Sequence, residues 1–220
     1  MERRILDQQL DLLRDKLLLL GGATENALHN AMRALTERDS EIAQSVLDGD
    51  EVIDRMEVEI DRFSIEILAL RQPAAHDLRF VISVAKITPI LERIADHAAS
   101  IAEAALRINN EPYLKEYIDL PLMADNAAEM LRKALDAFTN EDAETSRNVI
   151  RQDAVIDACY KRVFDELIEM MIDNPSTTTI SARLLFVAKH LERIGDYVKD
   201  ICELNVYLTE AAFIKHDPIG

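Results

Sequence analysis

Apolar side chains recur along the first part of the chain in alternating steps of four and three residues. The first run begins at Leu6, and its apolar or small residues occupy positions 6, 10, 13, 17, 20, 24, 27, 31 and 34. A second run occupies positions 53, 56, 60, 63, 67 and 70. This spacing is typical of helices that pack in bundles. It predicts one long helix from Leu6 to near Arg38 and another that ends before Pro73, because a residue before proline is disfavoured in a helix.

The segment between these two runs predicts a shorter element. Asp39 and Ser40 are preferred at helix starts, so they predict a helix that continues through Leu47. Gly49 then predicts a break before the second long helix. A third long helix is expected from about Ala74 to Asn109, where the next Asn and Pro residues end the pattern.

The second half of the chain repeats the first. Segment 25–27 matches segment 125–127 at an offset of 100, and segment 50–54 matches segment 153–157 at an offset of 103. Segments 91–96 (LERIAD) and 191–196 (LERIGD) share five of six residues. The repeat predicts second-half helices at about 121–138, 142–151, 153–172 and 178–209. No stretch alternates with the period of two that a sheet requires. The expected fold is therefore all-α, with two tandem, pseudo-symmetric three-helix bundles at 1–110 and 118–210.

Each repeat carries two pairs of acidic residues spaced four apart, which places both members of a pair on one side of a helix. The pairs lie outside the apolar arc of their helices, so we expect them at the surface and without a counter-charge. They are Asp50 and Asp54 with Glu92 and Asp96 in the first half, and Asp153 and Asp157 with Glu192 and Asp196 in the second. Gly195 stands where the first half has Ala95, and Pro89 lies close to the first pair, so the second site is expected to be the better formed.

Carboxylates that meet without a counter-charge are natural ligands for hard cations. Magnesium, manganese or iron suit this ligand type, whereas zinc prefers the Cys and His residues that these segments lack. Two other classes of protein remain open. One is a metal-free acidic bundle that only binds partners, and the other is a di-iron carboxylate enzyme. The enzyme requires Glu-x-x-His on two helices, and no histidine of the chain has Glu three residues before it.

Composition narrows the class of ligand. The 220 residues carry a formal net charge of −16, which disfavours nucleic acid and anionic lipid as direct ligands and suits cations or basic protein surfaces. The longest leucine run, at 17–20, is too short to span a bilayer, and the amino-terminal residues do not resemble a signal peptide. Cys159 and Cys202 have no metal-ligand spacing. A cytoplasmic protein is expected.

The doubled acidic motif resembles the PhoU family of regulators of bacterial phosphate uptake. The resemblance also includes Arg71-Gln72-Pro73, the following Asp77-Leu78-Arg79 and the two Val-Ile-Asp segments, and it covers nearly the whole chain. It implies paired three-helix bundles, no catalysis and, in some members, iron or other metal clusters on the acidic pairs. It further implies association with the ATPase of the phosphate ABC transporter and with the phosphate-sensing histidine kinase, which such proteins restrain when phosphate is plentiful. A homodimer is compatible with this resemblance.

Overall fold

The computed structural model describes residues 2–212 and 214. Within this part of the chain the structure is helical and contains no strand, which confirms the all-α prediction. The helices are α1 (Glu2–Thr36), α2 (Ser40–Arg71), α3 (Ala75–Ile108), α4 (Asp119–Asn140), α5 (Ala143–Asp173) and α6 (Thr178–Glu210), and a single 3₁₀ turn (Pro175–Thr177) precedes α6.

The six helices form two three-helix bundles of the same topology. Helices α1, α2 and α3 pack against one another, and so do α4, α5 and α6. The bundles meet along α3 and α6, with α1 and α4 beside them. Helices α2 and α5 therefore contact only helices of their own bundle and lie on the outside of the pair.

The predicted helix breaks at Gly49 and between residues 151 and 153 are wrong. Helix α2 continues through Gly49, and α5 continues through the equivalent residues of the repeat. Glycine inside a helix costs about 1 kcal/mol, but Val46 and Ile53 on either side of Gly49 are buried in the core. Their packing outweighs the local preference. The predicted start at Asp39 is confirmed, since its carboxylate accepts hydrogen bonds from the backbone N–H groups of Glu41 and Ile42.

The apolar arc predicted around Leu91 is confirmed. Its members are all buried in the first bundle: Leu91, Ile94, Ala95, Ala98, Ile101 and Ala102. Thr24 of α1 donates a hydrogen bond to the Leu91 carbonyl oxygen at 3.3 Å, which ties α1 to α3 at this level. The arc fixes the rotation of α3, and the acidic pair on the same helix must consequently face away from the core.

Two histidines meet where α3 and α6 cross. The Nδ1 atoms of His97 and His190 are 2.8 Å apart, and the Tyr197 ring stacks on His97 with its centroid at 5.5 Å. Burial lowers the pKa of His97 to about 4, and the charge of Arg193 adds to this effect. Burial also lowers the pKa of His190. Both imidazoles are therefore neutral at neutral pH, so one donates and the other accepts.

The remaining predictions concern the membrane and the cysteines. Across residues 2–212 and 214, every helix falls short of the length and apolarity that crossing a membrane requires.

Cys159 and Cys202 are both buried free thiols, and burial raises the pKa of Cys202 to about 12. A thiol with such a pKa is unreactive at neutral pH, and this agrees with a packing role.

Candidate metal centres in the two halves

In the first half, carboxylates of α2 and α3 affect one another's pKa. Burial raises the pKa of Glu92 to about 7, and the negative charges of Asp96, Glu57 and Asp54 add to the rise. Burial likewise raises the pKa of Asp50, with further contributions from Asp54 and Asp96. These mutual effects show that side chains of the two helices share one electrostatic environment.

Glu57 belongs to this group although the sequence analysis did not single it out. Burial raises its pKa, and Asp54, Asp61 and Asp96 reinforce the effect. The signal was present in the spacing, because Glu57 follows Asp50 by seven residues and so returns to the same side of α2. We call Asp50, Asp54, Glu57, Glu92 and Asp96 the first acidic cluster.

The first acidic cluster has no basic partner within the described residues. None of its five carboxylates forms an ion pair with lysine, arginine or histidine there. Arg93 lies in the same segment and its charge opposes the rise in the pKa of Glu92, but its side chain is exposed. The cluster is therefore a concentration of negative charge that no ion pair among residues 2–212 and 214 neutralises.

The second half differs from the prediction in its burial and in its charge balance. Asp153 was expected at the surface, yet it is buried with 4% of its area exposed. Its Oδ2 forms an ion pair with Nζ of Lys199, and the same ammonium lies 2.8 Å from Oδ1 of Asp196. Burial raises the pKa of Asp153, and the hydrogen bond from Lys199 opposes the rise. The expectation of converging carboxylates without a counter-charge is thus wrong in this half.

A second lysine pairs with the half-buried carboxylate of Glu192. Nζ of Lys189 lies 2.6 Å from Oε2 of Glu192 and 5.4 Å from the centroid of the Tyr160 ring. Arg193 approaches Asp196 at 3.5 Å, and Asp157 is exposed on the outer side of α5. We call Asp153, Asp157, Glu192 and Asp196 the second acidic cluster. Three of its four members contact a basic side chain.

One small residue explains why equivalent aspartates take different positions. A Cβ atom at Gly195 would lie 2.5 Å from Oδ1 of Asp153, so glycine makes room for the buried carboxylate. The first half has Ala95 at this position, fully packed in the core. By analogy with Gly195, we infer that this methyl group leaves less room for a carboxylate, and Asp50 is only partly buried.

The donor sets of the two halves differ in how they suit a metal ion. The described residues contain no group of three or more His, Cys, Asp or Glu side chains that could hold a metal ion as they stand. The first acidic cluster nevertheless has the chemistry of a hard-cation site, with oxygen donors only and no competing base. The second does not fit a metal, because the Lys199 ammonium already lies between Asp153 and Asp196.

The PhoU domain model matches residues 17–105 and 120–204, one match in each half. The PhoU homolog of Pseudomonas putida, named a phosphate-specific transport system accessory protein, is 38% identical over 94% of this chain and 82% of its own length. The crystal structure of PhoU from Pseudomonas aeruginosa has a TM-score of 0.90 at 35% identity, covering 94% of this chain and 99% of that one.

A second solved structure has the same fold. The phosphate transport system regulatory protein PhoU from Streptococcus pneumoniae has a TM-score of 0.89 at 32% identity and covers 94% of this chain and 98% of its own. These similarities extend over both bundles and include both acidic segments. The chain therefore belongs to the PhoU family.

Proposed function

We propose that this protein is a non-enzymatic regulator of phosphate uptake that restrains the phosphate-starvation response when phosphate is plentiful. The observation that carries the proposal is the match of both halves to the PhoU domain, together with relatives named as accessory proteins of phosphate-specific transport. The protein would act in the cytoplasm by binding the transporter's ATPase and the phosphate-sensing histidine kinase. Its net charge of −16 favours basic protein surfaces as partners and disfavours nucleic acid.

Complementation of a bacterial strain that lacks its own PhoU protein tests this function. Without the protein, a reporter of phosphate-starvation genes is expected to be active even in rich phosphate. Expression of this chain should return the reporter to its repressed level, and the chain should co-purify with the transporter ATPase or the kinase. A strain in which the expressed, folded chain leaves the reporter fully active would contradict the proposal.

We further propose that the first acidic cluster binds a divalent cation or iron. Asp50 and Asp54 from α2 would hold it together with Glu92 and Asp96 from α3, with Glu57 beside them. When bound, the ion would supply positive charge that offsets the repulsion between these carboxylates. Because the ligands come from two helices, it would also fasten the outer helix α2 to α3. Support comes from the oxygen-only donor set and from the absence of any ion pair to these five residues in the described structure.

Thermal melting with and without metal tests the cation site. In the wild type, Mn²⁺ should raise the melting temperature relative to chelator, because an ion at about 100 times its Kd stabilises the native state by about 2.7 kcal/mol. The double variant Glu92→Gln with Asp96→Asn should lose this shift. It should also melt higher than the wild type in chelator, since two repelling charges have gone.

The matched control removes two exposed acids outside the cluster. Glu66→Gln with Glu144→Gln lowers the negative charge by the same amount, and both side chains are exposed. This control should keep the full Mn²⁺ shift. An equal shift in the wild type and in the cluster variant would mean that the first acidic cluster is only a solvated face and that the protein acts as a metal-free acidic bundle.

A further inference from the structure

The two acidic clusters occupy equivalent places in the repeat but differ at three positions that affect charge. At an offset of 100, Ala99 stands where the second half has Lys199, and Pro89 stands where it has Lys189. At the offset of 103 that relates α2 to α5, Glu57 corresponds to Tyr160. Each exchange makes the second cluster less negative than the first.

The lysine at position 199 is held inside the second cluster and does not merely lie near it. Its ammonium contacts carboxylates on two different helices, Asp153 of α5 and Asp196 of α6. Burial alone would lower the pKa of Lys199, yet the hydrogen bonds to these carboxylates raise it above its ordinary value. The side chain is only 29% exposed. A cation that bridges the two acid-bearing helices is the arrangement expected of a bound metal ion, but here the chain provides it.

Two residues of α6 make this arrangement possible together. Gly195 provides the space in which Asp153 is buried, and Lys199, one turn later, provides the charge that a buried carboxylate requires. A lysine without the glycine would meet an Asp153 displaced toward solvent, and the glycine without the lysine would leave a buried charge unpaired. The first half has alanine at both equivalent positions, 95 and 99.

One carboxylate oxygen of the buried Asp153 has no hydrogen-bond donor among the described residues. Oδ1 of Asp153 accepts no hydrogen bond from any residue that the structure describes, although only 4% of the residue is exposed. A buried carboxylate oxygen without a donor is costly, and a metal ion is one group that would satisfy it. The ammonium of Lys199 is therefore the group that would have to leave before Asp153 and Asp196 could bind a divalent cation.

We infer that Lys199 is the resident cation of the second acidic cluster and excludes divalent metal from that half, so that the two halves of the repeat differ in cation binding. The ammonium of Lys199 repels a divalent ion because both are positively charged. It also contacts the carboxylate oxygens of Asp153 and Asp196 that such an ion would need as ligands. The inferred difference between the halves rests on the proposed cation site of the first cluster. The inferred role of Lys199 in blocking metal does not rest on that site, because it can be measured in a chain whose first cluster has been removed by mutation.

Mn²⁺ binding measured by equilibrium dialysis and by the electron paramagnetic resonance signal of free Mn²⁺ tests the inference. In the full-length protein, Glu192→Gln with Asp196→Asn should leave the Mn²⁺ stoichiometry unchanged, whereas Glu92→Gln with Asp96→Asn should abolish binding. Loss of bound Mn²⁺ in the Glu192 and Asp196 variant would overturn the inference, because it would show that the second cluster holds metal despite Lys199.

The gain-of-binding experiment starts from the chain with Glu92→Gln and Asp96→Asn. Adding Lys199→Ala, which installs the first-half residue, should tighten Mn²⁺ binding by the second cluster at least about 100-fold. The matched control adds Lys189→Ala, which removes the same charge from the same helix but leaves the ammonium between Asp153 and Asp196. This control should not gain binding.

Each remaining outcome decides the question. Equal gains with Lys199→Ala and Lys189→Ala would show a general charge effect and contradict a specific role of Lys199. A folded Lys199→Ala chain that binds no Mn²⁺ would also overturn the inference, and Lys199→Gln, which keeps most of the side chain, provides the same test if alanine prevents folding. If the wild type binds no Mn²⁺ but the Lys199 variant does, the proposed first site fails while the role of Lys199 stands.

Discussion

Replacing Leu91 with alanine will lower the free energy of unfolding by about 2–5 kcal/mol, the range for a fully buried leucine. Leu91 has no exposed area, and its helix packs against both α1 and α6. The truncation removes apolar contacts on α3 and leaves a cavity that the neighbouring helices fill only in part. Leu191 occupies the equivalent place on α6 and is equally buried, so Leu191→Ala should cost a similar amount.

Urea denaturation followed by circular dichroism measures this loss. Leu19→Ala provides the control, because Leu19 is a helical leucine that is 67% exposed, and the change there should stay within about 0.5 kcal/mol. If Leu91→Ala cost no more than Leu19→Ala, the packing of α3 as described would be wrong.

The second large effect concerns the buried ion pair. Lys199→Met should destabilise the protein by about 3–5 kcal/mol at neutral pH, because it leaves the Asp153 carboxylate buried without its partner. Burial already raises the pKa of Asp153, and loss of the ammonium raises it further. A raised folded-state pKa means that the native state gains stability from protonation. The deficit of the variant should therefore shrink as the pH falls toward the ordinary aspartate pKa of about 3.9 and grow as the pH rises above it.

Lys189→Met is the control for this prediction. Lys189 also pairs with a carboxylate of α6, but its side chain is 45% exposed. Exposed pairs contribute little, so the expected change is within about 1 kcal/mol. Denaturant melts of both variants at two pH values, with chelator present, provide the measurement. A Lys199 deficit that is independent of pH would exclude the unpaired carboxylate as its cause.

The helices and their buried faces could be predicted from the sequence because helical periodicity is a local property. Residues that repeat every three or four positions around Leu91 must share one face whatever the partner helix is. The break predicted at Gly49 was wrong because a non-local effect decides the structure there. The cost of about 1 kcal/mol for glycine inside a helix is local, but the burial of Val46 and Ile53 that outweighs it depends on α1 and α3.

The two acidic clusters show where reading one segment at a time is insufficient. Segments 50–54 and 153–157 have the same acidic spacing, so each predicts the same exposed pair. Their different burial is decided on another helix, by Ala95 in one half and Gly195 in the other. The lysine at position 199 is visible when the repeats are aligned, but only the packing of α5 on α6 reveals that it reaches Asp153.

The outer position of α2 and α5 determines how the protein can open. Each of these helices contacts only its own bundle, so either can detach while the joint between α3 and α6 stays closed. The fastening that resists such opening differs between the halves. The ammonium of Lys199, which belongs to α6, contacts Asp153 of α5 without any ion from the solution, whereas under the proposed cation site α2 would depend on such an ion. Amide hydrogen exchange in α2 would then report the ion concentration of the surroundings, and exchange in α5 would provide the internal reference.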